Sequence, residues 1–189
     1  MRPLTIVAAM LVAAGGIQAA RAAWMPAKAV AAQVLLDRAF EESRQTHRPV
    51  RPWGWADMAP VARLTVPRLG LSVIVLDKGS GQAMAFGPTL LPGTAGIGAK
   101  GTSVIAAHRD THFRGLSGIR KGDLVRVGGI DGRVTDYRVT GSEVRRWDRF
   151  AVSGGSSGAR LALATCYPFD TDRHGPERFI VHADAVRHR

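Results

Sequence analysis

The sequence predicts a mainly β domain, either a closed barrel or a sandwich, that follows an N-terminal helical segment. The residue pattern changes near residue 60, short runs of β-branched and apolar residues follow, and Gly and Asp separate these runs. The runs with strand character cover 61–66, 71–77, 103–108, 123–127, 133–139, 159–166 and 178–186. Seven short strands with one or two small helices are typical of barrels and sandwiches.

The length and charge of the chain limit the possible classes. A chain of 189 residues has room for one ordinary domain and an N-terminal appendage. The formal charge of +11 would suit nucleic acid, but the arginines are scattered and no recognition helix or RNA-binding signature accompanies them. We therefore expect no nucleic-acid partner. Attraction to anionic lipid or to an acidic wall polymer stays open.

An uncharged stretch near the N-terminus predicts a membrane anchor. Residues 4–20 carry no charge, and as a helix they would span roughly 26 Å at 1.5 Å per residue. We expect a signal anchor over residues 1–25 that crosses the inner membrane once. The alternative is a cleaved signal peptide, because Ala20, Arg21 and Ala22 match the small-x-small cleavage pattern. Either hypothesis places the rest of the chain outside the cytoplasm.

The segment 26–58 is predicted to be a stalk helix and a linker. Residues 28–45 are rich in helix formers, whereas Pro49 and Pro52 make continued helix unfavourable. The β domain is then expected over 59–189.

The single cysteine, Cys166, is a candidate nucleophile. No intramolecular disulfide is possible, and the residue ends a predicted strand. Ala162, Ala164 and Cys166 share one face of that strand, so the two small side chains leave space beside the sulfur. The alternative is a thiol that only packs as a small apolar group.

Arg178 and His108 are candidate partners of the thiol. Arg178 enters the last predicted strand, and strand pairing would bring it beside Cys166. A cation there lowers a thiol pKa and can hold a developing oxyanion. His108 ends an apolar strand and suits proton transfer near neutral pH, with Asp110 or Thr111 as possible groups that orient its ring.

His108, Asp110 and His112 form an HxDxH pattern, so a metal site is an alternative interpretation of this segment. A lone HxDxH pattern supplies neither a fourth ligand nor a second shell, and the chain has no HExxH helix and no cysteine pair. We therefore predict no metal and no cofactor.

These segments resemble those of a known family. IAAHRDTHFRGL is similar to the catalytic-histidine segment of sortases, LALATCYPF resembles their TLxTC cysteine strand, and ERFIV resembles the strand that bears their arginine. The three segments occur in the family's order, and the resemblance covers about residues 60–186. The N-terminal region and the short chain resemble the Gram-negative type called class GN.

The resemblance implies an eight-stranded sortase-type β-barrel and a cysteine transpeptidase. Cys166 would attack the Thr carbonyl of an LPxTG-like C-terminal sorting signal on an exported protein and form a thioester, which an amine acceptor at the cell surface would resolve. His108 would be the general acid and base, and Arg178 would steady the substrate or the oxyanion. Thr165 and Ala164 would line the substrate site. Sortases that bind calcium use acidic residues that have no counterpart here.

Other functions fit less well. L,D-transpeptidases place their cysteine in an SxGC context, and NlpC/P60 peptidases have cysteine before histidine, whereas this chain has ATC and the histidine first. A second hypothesis from another class is a membrane-tethered β-barrel that only binds a partner, with Cys166 as inert packing.

Overall fold

The computed structural model describes residues 3–150, 158–171 and 175–186, and its main feature is a closed barrel. The strands are β1 (Pro60–Val66), β2 (Leu71–Leu76), β3 (Thr89–Leu90), β4 (Gly101–Ala106), β5 (Leu124–Gly129), β6 (Val134–Arg146), β7 (Ala159–Cys166) and β8 (Glu177–Ala185). Around the barrel they follow the order β1-β2-β3-β4-β7-β8-β6-β5. The predicted mainly β fold, with eight strands in a closed barrel, is confirmed.

The largest differences between the predicted strands and the structure concern β3, β4 and β6. β3 was not expected from the sequence, since it has only two residues and exists through its pairing with Leu76 and with β4. β4 ends at Ala106, so His108 follows the strand instead of ending it. β6 continues to Arg146 because its second half pairs with β8, although most of that half is exposed.

The barrel interior holds the main hydrophobic core. Along β7, Leu161 and Leu163 point inward, and along β8, Val181 and Ala183 do so. The alternate residues of both strands face the outside of the barrel, as the period of two in a strand requires. Among these alternate residues, Ala162 and Ile180 belong to a smaller buried cluster on the outer face. The outer face of β7 and β8 therefore also carries buried apolar side chains.

In the described ranges, two α-helices lie beside the barrel, α1 (Pro3–Thr46) and α2 (Gly81–Phe86). The C-terminal part of α1 packs on the barrel, where Leu36 and Phe40 are buried against a cluster that includes Ile74 of β2. The Arg63 guanidinium lies 5.0 Å from the centre of the Phe40 ring. The stalk helix predicted within 26–58 thus contacts the barrel, a point that the sequence alone left open.

The N-terminal part of α1 carries the predicted anchor. Among the residues that the structure describes, no helix has a stretch that is both long and apolar enough to cross a membrane. The anchor expected over residues 1–25 therefore stays a prediction.

Candidate active site

Strand register brings the three sequence-predicted catalytic residues to one edge of the barrel. Cys166 ends β7 and is paired directly with Arg178 across the antiparallel β7–β8 ladder. β4 runs parallel to β7 with Ala106 opposite Ala164, so both strands end at the same edge. His108 follows the end of β4 by two residues, and it lines the same groove as Cys166 at the end of β7.

His108, Cys166 and Arg178 line one groove of about 360 Å³ on the outer face of the barrel. Its other lining residues are mostly apolar: Met84, Leu91, Val104, Ala106, Ala107, Trp147, Phe150, Ala164, Thr165 and Ile180. Trp147 is 63% exposed and lines this groove. A largely apolar groove with a few polar groups at one end is typical of a site for a small or extended ligand.

The two residues predicted to line the substrate site have different environments. Ala164 is half-buried in the groove, and its small side chain leaves room beside Cys166. Thr165 is buried, and its Oγ1 donates a hydrogen bond of 2.8 Å to the backbone oxygen of Ala107. This bond ties β7 to the residue just before His108. The Thr165 hydroxyl thus forms a structural hydrogen bond between the residues that directly precede Cys166 and His108.

Asp110 and Thr111 were the candidates for orienting the His108 ring. Both are exposed, and within the described part of the chain no hydrogen bond joins either side chain to that ring. The Thr111 backbone oxygen accepts a hydrogen bond of 3.3 Å from the Arg114 backbone nitrogen, which closes a turn. An orienting role for either residue stays a prediction.

Arg178 is fixed by the loop that precedes β8. Its Nη1 donates to the backbone oxygens of Gly175, at 2.9 Å, and Glu177, at 2.8 Å. The same Glu177 oxygen accepts a hydrogen bond of 3.1 Å from the backbone nitrogen of Tyr167, next to the cysteine. Arg178 is therefore a half-buried, hydrogen-bonded group of the groove and not a freely solvated edge-strand charge.

Arg109 is a residue of the site region that the sequence reasoning missed. It is only 7% exposed, and its guanidinium donates to the backbone oxygens of Pro168, at 2.6 Å, and Thr171. These bonds connect the segment after β4 to the loop after Cys166. A buried guanidinium requires hydrogen-bond acceptors. The sequence signal was an arginine directly after a strand-end histidine, but its acceptors lie about 60 residues away in the chain.

We expect Arg109→Ala to destabilise the protein by about 1–3 kcal/mol, because two loop carbonyls would lose a charged donor. Arg109→Lys should restore part of this loss, since lysine keeps the charge but lacks the planar fork. Urea unfolding followed by circular dichroism measures both. Arg133→Ala is the matched control, because that side chain is 89% exposed. Equal midpoints for the Arg109→Ala and Arg133→Ala proteins would contradict the role given to Arg109.

His112 is half-buried and connects the segment after His108 to α2. Burial lowers the pKa of the imidazole, a hydrogen bond with the Ala85 backbone opposes this, and the neighbouring His108 lowers the pKa further. The net effect favours neutral His112 near pH 7. Within the described ranges, no three His, Cys, Asp or Glu side chains come together as a metal site requires.

Comparison with known proteins agrees with this geometry. A model of the sortase domain matches residues 64–186, which is most of the barrel. The chain belongs to the sortase family. This sortase-family chain is 33% identical over 86 residues to sortase D of Bacillus subtilis (strain 168), a match that covers 46% of the chain and 43% of that protein. The match thus spans less than half the length of that relative.

Solved sortase structures share the barrel of this sortase-family chain. A Clostridium perfringens sortase D5 transpeptidase superposes with a TM-score of 0.65 at 16% identity, over 82% of this chain and 96% of that one. Listeria monocytogenes sortase A superposes with a TM-score of 0.60 at 20% identity, over 68% of this chain and 88% of that one. At these identities the likeness shows the fold alone. The resemblance to class GN within the family stays a prediction.

Proposed function

We propose that this chain is a cysteine transpeptidase that cleaves an LPxTG-like C-terminal sorting signal of an exported protein and joins the new carboxyl end to an amine at the cell surface. The observation that carries the proposal is the shared groove, in which Cys166 is paired with Arg178 and which His108 also lines. Thiol, imidazole and guanidinium together suit acyl transfer at a peptide bond.

The first half of the reaction forms a thioester. The Cys166 thiolate attacks the Thr carbonyl carbon of the sorting signal, and Arg178 stabilises the negative charge that develops on the carbonyl oxygen. When the C–N bond breaks, the His108 imidazolium donates a proton to the leaving amine. The products are an acyl-enzyme on Cys166 and the released C-terminal peptide.

The second half transfers the acyl group. An amine attacks the thioester carbonyl, the C–S bond breaks, and neutral His108 accepts the proton that the nitrogen loses. The thiolate and the imidazolium are thereby restored. Water in place of the amine would give slow hydrolysis.

The apolar walls of the groove support an extended substrate of this type. The Leu and Pro of an LPxTG-like signal carry no charge, and side chains such as Met84, Leu91 and Ile180 line the groove. Burial of such side chains stabilises a complex roughly in proportion to the apolar area removed from water. The exposed Trp147 offers a further apolar surface at the groove.

We also propose that residues 1–25 anchor the chain as a single-pass inner-membrane protein with the barrel on the periplasmic side. The uncharged stretch 4–20 supports this location. An enzyme that acts on exported proteins requires this side of the membrane. The N-terminal region resembles class GN, which is the type that we propose.

The function is tested with the purified full-length chain, a set of LPxTG-type peptides and hydroxylamine as the nucleophile. We expect a thioester on Cys166 in the intact-mass spectrum and a hydroxamate of the peptide cut after Thr. If no peptide of the set gives either product while the barrel is folded, the non-catalytic binding module becomes the better hypothesis.

A further inference from the structure

The short helix α2 contacts both α1 and the groove that contains Cys166. It has only six residues, too few for a helix to be stable without contacts to the rest of the chain. On one face, Ala83 is fully buried in the cluster that contains Leu36 and Phe40 of α1. The next residue, Met84, is half-buried and lines the groove. α2 therefore connects the packing of α1 with one wall of the groove.

Gln33 of α1 and Trp53 of the segment after α1 hold the C-terminal end of α2. The Gln33 Nε2 donates a hydrogen bond of 2.8 Å to the backbone oxygen of Phe86, the last residue of α2. The Trp53 ring lies edge-on to the Phe86 ring, with 5.1 Å between the ring centres. Phe86 follows Ala83 by three residues, so both lie on the face of α2 that packs against the α1 cluster. The position of Met84 on this helix thus depends on contacts made outside the barrel.

We propose that Gln33 is a positioning residue for substrate binding, which holds α2 and thereby Met84 at the wall of the groove. The inference rests on the proposed function, because it concerns the binding of the sorting signal in that groove. Gln33 is exposed on α1 and is not one of the residues that line the groove, so it acts on a bound peptide through α2. Met84 supplies an unbranched thioether side chain, which adapts its shape to an apolar partner.

The inference gives α1 a second role. The same helix that begins in the region predicted to be the membrane anchor also carries Gln33, which is 53 residues before its acceptor at Phe86. The helix that is expected to tether the chain therefore also shapes the substrate site. A change in α1 that leaves the barrel folded should alter the affinity for the sorting signal.

The test measures KM and kcat of the purified full-length chain for an LPxTG-type peptide, with hydroxylamine at a saturating concentration. Gln33→Glu keeps the size of the side chain, removes the donor and places a carboxylate against the Phe86 oxygen. We expect KM to rise about fivefold while kcat stays within about twofold, as the loss of one hydrogen bond remote from the reacting atoms predicts. Gln33→Lys should recover most of the affinity, because the lysine ammonium can donate to the same oxygen.

Gln45→Glu is the matched control, since it makes the same change on the same helix. Gln45 is exposed, and its side chain has no hydrogen-bond partner among the residues that the structure describes. Both constants should therefore stay unchanged. A double-mutant cycle then tests the route: in a Met84→Ala background, adding Gln33→Glu should raise KM by less than about twofold, because the side chain that Gln33 positions is already absent.

Hydrogen exchange of the α2 amides, followed by mass spectrometry, examines α2 without any turnover. The hydrogen bond from Gln33 and the packing of Phe86 oppose local opening of this short helix. We expect faster exchange over residues 81–86 in the Gln33→Glu protein than in the Gln45→Glu protein. Equal exchange in the two proteins would mean that Gln33 does not hold α2.

Three kinetic results would also overturn the inference. Equal KM values for the Gln33→Glu and Gln45→Glu proteins would mean that Gln33 has no effect on the groove. A lower kcat at unchanged KM, together with a lower melting temperature, would reduce Gln33 to a structural role. Equal effects of Gln33→Glu with and without Met84 would mean that its effect does not pass through this side chain.

Failure of the proposed function gives a different result. A chain that forms no hydroxamate with any sorting peptide would overturn the transpeptidase proposal, and the role of Gln33 in substrate binding with it. The exchange measurement distinguishes this case, because Gln33→Glu would then still speed exchange in α2.

Discussion

Replacing Cys166 by alanine is expected to abolish thioester formation and to lower turnover at least about ten-thousandfold, as loss of a catalytic nucleophile does in other acyl-transfer enzymes. The reason is that the sulfur is the atom that bonds to the acyl group, and the cysteine is the chain's only thiol. Cys166 is half-buried at the end of β7, so loss of its sulfur should cost less than about 1 kcal/mol of folding free energy.

Intact-mass spectrometry after incubation with a sorting peptide measures the adduct, and thermal unfolding measures the fold. Cys166→Ser is the conservative companion, because it keeps the size of the side chain and replaces the thiol by a much weaker nucleophile. A Cys166→Ala protein that still joins peptide to amine at the normal rate would contradict the mechanism. It would favour the hypothesis of a barrel whose cysteine only packs.

Replacing Arg178 by alanine is expected to slow thioester formation by about 10²–10³, the usual cost of removing one oxyanion donor. The direct pairing of Arg178 with Cys166 carries this expectation. Its Nη1 is bonded to Gly175 and Glu177, which positions the guanidinium at the groove before substrate arrives. Arg178→Lys should recover only part of the rate, because an ammonium lacks the planar fork.

Single-turnover kinetics measure the rate of thioester formation. The matched control is Arg145, which lies on the neighbouring strand β6. Arg145 pairs with Arg178 across β6 and β8, and its side chain forms an ion pair with Glu143 outside the groove. Arg145→Ala should therefore keep the rate within about twofold, as expected for loss of an exposed ion pair. Similar rates for the Arg145 and Arg178 variants would mean that Arg178 has no part in the chemistry.

The parts of the fold that were predictable are those with a strong local pattern. The run 159–166 matches β7 residue for residue, because alternate apolar residues and a following proline define both its face and its end. β3 was not predictable, since two residues carry no period and its bonds are tertiary. The second half of β6 was missed for a related reason: its residues from Gly141 onward are largely exposed, and their strand geometry comes from pairing with β8.

The same distinction applies to the candidate site. His108, Cys166 and Arg178 were found from strand ends and residue type, and the structure places all three in one groove. Arg109 was not found, because nothing near it in the sequence shows that its guanidinium contacts Pro168 and Thr171. A second cavity beside His108 and Cys166 was not predicted either, since its lining combines the segments after β4 and after β7, which are distant in the chain.

The pairing of Cys166 with Arg178 has a consequence for folding fidelity. Along β8, Val181 and Ala183 fill the interior, while Arg178 and Ile180 face outward. A slip of β8 by one residue would exchange these two sets, which would place a guanidinium inside the barrel and remove Val181 from the main core. The loss of core packing therefore destabilises mispaired molecules. In the native register, the Arg178 guanidinium and the Cys166 sulfur lie on the same face of the sheet.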